Sequence, residues 1–106
     1  MTWTISHGTP GGRFDGYHSF GYSQVGEWRD ALLRMPLSNR DLALVEPLTR
    51  DRSGDPFSID PRRAAAIGSV LRAVQRRMPR AQRGVNESLA AAAERASAAQ
   101  QSWEWP

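Results

Sequence analysis

The 106-residue chain contains no cysteine and no lysine, and only two histidines. Without cysteine there is no disulfide framework, no thiolate zinc site, no Fe–S cluster and no cysteine nucleophile. Without lysine there is no Schiff base, no P-loop lysine and no lysine general base. Every basic residue is an arginine, permanently charged and carrying forked donors. Long apolar runs are also missing: no stretch approaches the ~18 apolar residues of a membrane span. The N-terminal region lacks a charged segment followed by an apolar run, so the expectation is a cytoplasmic protein that makes no membrane contact.

With 40% hydrophobic and 24% charged residues, seven prolines and nine glycines, the composition describes a single soluble domain over residues 1–106. A domain of this size buries roughly two-thirds of the surface that its unfolded chain exposes. The formal net charge of +3 hides an asymmetry. Residues 1–60 hold six arginines against eight acids, whereas residues 61–83 hold seven arginines and no acid.

Met1 to Ser6 alternates apolar and polar residues, as a half-buried strand does. The glycine-rich stretch from Gly8 to Gly26 predicts a long loop or a second short strand near Tyr17 to Tyr22. A first helix over Gln24 to Met35 is predicted from Val25, Trp28, Leu32 and Met35, with Ser23 as N-cap and Pro36 as stop. Ser38 caps a short second helix, Asn39 to Glu46, which Pro47 ends or kinks. Phe57-Ser-Ile59 suits a short strand that pairs with the N-terminal one. Asp60-Pro61 is the clearest helix start, because aspartate caps free N–H groups and proline fits the first turn.

The third helix buries Ala64, Ile67, Val70, Leu71, Val74 and Met78 and turns Arg62, Arg63, Arg72, Arg76 and Arg77 outward. Gly68 allows close approach of another backbone. After Gly84, a fourth helix carries Val85, Leu89, Ala92, Ala96, Ala99 and Trp103 as a heptad-like seam. The expected fold is therefore α+β and mostly helical: about four helices, with a long antiparallel pair and a small two- or three-stranded sheet.

Chemical motifs are sparse. His7, Asp15 and His18 offer a two-histidine, one-carboxylate set, but their spacing across a glycine-rich loop gives a metal site little support. Asp51 to Asp55 begins like a calcium loop and then fails, with Pro56 where glycine is needed and Arg62 where a bidentate glutamate is needed. Gly21 to Gly26 misses the nucleophile-elbow spacing by one residue. No catalytic set, metal or cofactor is expected.

Two surfaces invite contact. Arg62, Arg63, Arg72, Arg76, Arg77 and Arg80 form a basic face suited to carboxylates or phosphates, unless Glu87, Glu94 or the acids of residues 41–60 neutralise it. If the last helix persists to the C-terminus, Trp103 lies on its seam and Trp105 does not. The tryptophans then form either a latch over the core or, through Trp105 with Tyr17 and Tyr22, an exposed aromatic anchor.

The segments Trp3-Thr-Ile-Ser-His-Gly8, Gly54-Asp-Pro-Phe-Ser-Ile59, Ala65-Ala-Ile-Gly68 and Trp103-Glu-Trp105 together resemble a family of small uncharacterised actinobacterial proteins. The resemblance implies a bacterial cytoplasmic protein and carries over no activity or site residue. The residues themselves favour a noncatalytic binding or regulatory module that acts on a protein partner. The second reading is a nucleic-acid-binding accessory protein that uses the arginine face. A homodimer is compatible with either.

Overall fold

A computed structural model describes residues 2–8, 14–50 and 57–105, with side chains from Gln24 onward. In chain order the elements are β1 (Thr2–Gly8), β2 (Phe14–Gly21), α1 (Tyr22–Leu33), α2 (Asn39–Thr49), β3 (Phe57–Ile59), α3 (Pro61–Val74), α4 (Arg80–Ala98) and β4 (Ser102–Trp105). The architecture is α+β and mostly helical, with the strands in one antiparallel sheet of order β2-β1-β4-β3. The sheet has four strands where the sequence suggests two or three. The extra one is β4, which lies between β1 and β3, so Phe57–Ile59 pairs with the C-terminal strand and not with the N-terminal one.

Local chemistry accounts for two of the four helix starts. The Asp60 carboxylate accepts a hydrogen bond from the Arg63 N–H at 2.9 Å, with Pro61 in the first turn. The Ser38 hydroxyl accepts from the Asp41 N–H at 3.1 Å. Helix α1 begins directly where β2 ends, so Ser23 lies inside the helix and is not its cap. Helix α4 begins at Arg80, and Gly84 falls within it.

Helix α2 continues through Pro47 to Thr49. Proline lacks the N–H that would bond the carbonyl four residues back, here that of Ala43. Arg63 of α3 supplies the missing donor: its Nη2 donates to the Ala43 carbonyl at 2.8 Å.

The core forms where α3 meets α4. Ala64, Ile67, Val70, Leu71, Val74 and Met78 are all buried against a face carrying Val85, Leu89, Ala90, Ala93 and Ala96. A Cβ at Gly68 would lie 3.4 Å from Glu94 Cγ and 3.6 Å from Ala93 Cβ, which shows how closely the two helices approach. Trp28 and Leu32 of α1 and Val45 and Leu48 of α2 complete this core. Helix α4 packs against β1, β2 and β4.

The fourth helix stops earlier than its seam suggests. Gln100 has φ 56°. Its N–H bonds the Ser97 carbonyl while the Gln101 N–H bonds that of Ala96, each at 3.0 Å. This is the Schellman pattern, which normally recruits glycine at the left-handed position. Ala99 is therefore exposed, and Trp103 belongs to a strand.

Candidate binding surface

The six arginines expected on the basic face divide into three kinds. Arg63 is a structural residue: besides the Ala43 carbonyl, its Nε reaches that of Leu44 at 3.5 Å. Two of its nitrogens thus bond backbone carbonyls of α2. Arg72 is held by two carboxylates of α4. It pairs with Glu87 and, at 2.7 Å, with Glu94. The hydrogen bond from Arg72 holds the Glu94 carboxyl below its usual range, and the hydrogen bonds to Glu94 and Glu87 raise the Arg72 value further.

Arg62, Arg76, Arg77 and Arg80 are exposed, and none is in an ion pair among the described residues. Arg83, close by in sequence, is spent on backbone. Its Nε donates to the Met78 carbonyl at 2.9 Å and its Nη2 to that of Arg76 at 3.3 Å, closing the turn between α3 and α4. Helix α4 opens with Arg80 and has no acid in its first turn. The positive end of its dipole therefore adds to the same corner.

Beside these arginines the structure holds a groove that the sequence does not reveal. It encloses about 300 Å³ between α2 and α3, lined by Arg40, Asp41 and Leu44 on one side and Ala66, Ser69, Val70 and Ala73 on the other. Ala66, Ser69 and Ala73 share one face of α3 through helical spacing. Arg62 stands one turn before Ala66, and Arg76 and Arg77 stand one turn after Ala73. The small side chains lower the floor; Arg40 is the arginine that lines it, with Arg62 a turn earlier on α3 and Arg76 and Arg77 in the turn that follows the helix. Arg40 belongs with the basic residues and goes unnoticed in the sequence, because only the fold brings α2 alongside α3.

The aromatic surface changes more. Trp105 is 1% exposed, stacked on Phe57 at a centroid distance of 5.2 Å and edge-on to Trp103 at 5.3 Å. Alternation in β4 places both indoles on the core side, with Ser102 and Glu104 on the other. Trp105 is thus a core residue and not an exposed anchor. Strand alternation brings both rings to one face, whereas the expected helix would have separated them. Glu104 accepts a hydrogen bond from the Ser58 hydroxyl across the β3–β4 pair.

The side chains of Tyr17, Tyr22 and Trp3 lie outside the described ones, as does the segment Asp51 to Asp55. The strand register sets His7 opposite Asp15 and Ile5 opposite His18. Among the described residues, no group of three histidine or acidic side chains gathers to hold a metal.

Fold and surface together define a small α+β domain in which an antiparallel helix pair packs on a four-stranded sheet beside a basic helix face. The chain belongs to the DUF7739 family, a domain of unknown function, whose profile matches residues 14–106. No curated protein and no solved structure matches the chain. Among the described residues no helix is long and apolar enough to cross a membrane.

Proposed function

We propose that this protein is a small binding module that regulates or escorts a protein partner, engaging it through the α2–α3 face. The observation that carries this reading is the division of the arginines. Arg72 is ion-paired and Arg63 is bonded to backbone within the fold, while Arg62, Arg76 and Arg77 are exposed on α3 or just beyond it, next to a groove floored by the small side chains Ala66, Ser69, Val70 and Ala73. Cations set beside apolar surface suit an acidic protein face. A nucleic-acid backbone would use the cations and leave the groove empty. Nucleic-acid binding through the same arginines is the second reading, supported by Arg80 and the α4 N-terminus. The sequence resemblance adds the proposal that the module works in a bacterial, specifically actinobacterial, cytoplasm.

Affinity capture from the native host, with and without nuclease, tests the choice. The expected result is one stoichiometric protein that is retained after nuclease treatment and lost when Arg76 and Arg77 are both changed to Glu. Capture that depends on intact nucleic acid would support the second reading.

A further inference from the structure

We infer that the groove between α2 and α3 receives an amphipathic helix of the partner, with apolar residues seated on Ala66, Ser69, Val70 and Ala73 and acidic residues turned toward Arg40, Arg62, Arg76 and Arg77. The inference rests on the binding-module reading and names the occupant. A cleft between two helices accepts a third helix by ridge-and-groove packing, and small residues on its floor let the incoming backbone approach closely. Ala66 and Ala73 lie two turns apart, about 10 Å. Arg62 lies a further turn out, so the face of α3 from Arg62 to Ala73 runs about 17 Å, the length of a short docking helix. The lining holds one cation and one acid, Arg40 and Asp41, and the excess charge comes from exposed Arg62, a turn earlier on α3, and exposed Arg76 and Arg77, in the turn after it, which suits an acidic flank. An extended acidic strand would meet the cations but would leave the small-residue floor unfilled.

Fluorescence anisotropy on the full chain tests this with labelled synthetic peptides. The parent peptide is helical, with Leu at i, i+3 and i+7 and Glu on both flanks. One control replaces Leu by Ser and another replaces Glu by Gln; a mixed-sequence single-stranded DNA serves as the third probe. The parent should bind saturably below about 100 μM, and each peptide control should lose tenfold or more. Ala73→Tyr, which fills the groove from an exposed position, should lose tenfold or more while keeping the wild-type circular dichroism spectrum. Ser69→Leu replaces it if that variant does not fold.

Equal binding of the parent and the Leu-to-Ser peptide would overturn the groove occupant while leaving a protein-binding basic face standing. Binding of the DNA alone, steeply weakened by salt, would overturn both. Self-association of the wild type that Ala73→Tyr abolishes would place a second copy in the groove and overturn the partner helix.

Discussion

At the scale of single residues, the polar side chain that matters most to the fold is Asn86, the one buried polar residue among those described. Its Oδ1 accepts from Trp28 Nε1 at 2.9 Å, and its Nδ2 donates to the Leu71 carbonyl at 2.9 Å and to the Gln75 side chain. One amide thus ties α1, α3 and α4 together. Asn86→Ala strands the Trp28 N–H and the Leu71 carbonyl inside the core, so a loss of about 2–5 kcal/mol is expected in urea unfolding. Arg63 invites a double-mutant cycle. Arg63→Ala should cost about 1 kcal/mol in the wild type and measurably less beside Pro47→Ala, where a restored N–H can bond Ala43 itself. Equal costs in both backgrounds would show that Arg63 does not compensate for the proline. Arg72 sets a pH dependence through Glu94. A carboxyl held below its ordinary value of 4.5 adds stability that is present above that pH and lost as the pH falls through the lowered value. Wild type should therefore melt above Arg72→Gln at pH 7, and the gap should narrow progressively below pH 4.5.

At the scale of elements, legibility followed how local each determinant was. The starts of α2 and α3 could be read because Ser38 and Asp60 cap their own neighbours, and the buried stripe of α3 could be read from its period. The end of α4 could not: a left-handed glutamine at position 100 carries no glycine signature, so the alanine seam appeared to run on into Trp103. A helix that continued through Trp103 would leave no residues for β4 and would put Trp105 off the buried seam, where the sequence leaves it open between a latch over the core and an exposed anchor. Pro47 misled in the opposite direction, because the donor that allows α2 to pass through it comes from a distant helix. Gln100→Gly tests the terminator directly. Glycine removes the Cβ strain of the left-handed conformation, so the variant should gain about 1 kcal/mol in urea unfolding. A loss of stability would mean that contacts of the glutamine side chain, including its bond to the Ser97 carbonyl at 3.1 Å, outweigh that strain.

At the scale of the whole molecule, the lysine-free composition has an architectural consequence. Planar guanidinium groups reach backbone carbonyls at several junctions: Arg29 bonds that of Leu48, Arg63 that of Ala43, and Arg83 that of Met78. These bonds direct charge without cancelling it: of the seven arginines in residues 61–83, Arg72 is ion-paired, Arg63 and Arg83 are tied to backbone carbonyls, and Arg62, Arg76, Arg77 and Arg80 are exposed with neither kind of partner among the described residues. The arginine block was visible in the sequence. Its partial neutralisation and the groove beside it were not, because both depend on how α2 and α4 pack against α3. The proposed function requires that this face, and not the sheet, meet the partner. Hydrogen–deuterium exchange of the full chain, alone and with the captured partner, tests it most directly. Added protection is expected in residues 40–44 and 62–77, whereas protection confined to β2, β3 and β4 would place the partner on the sheet and overturn the proposal.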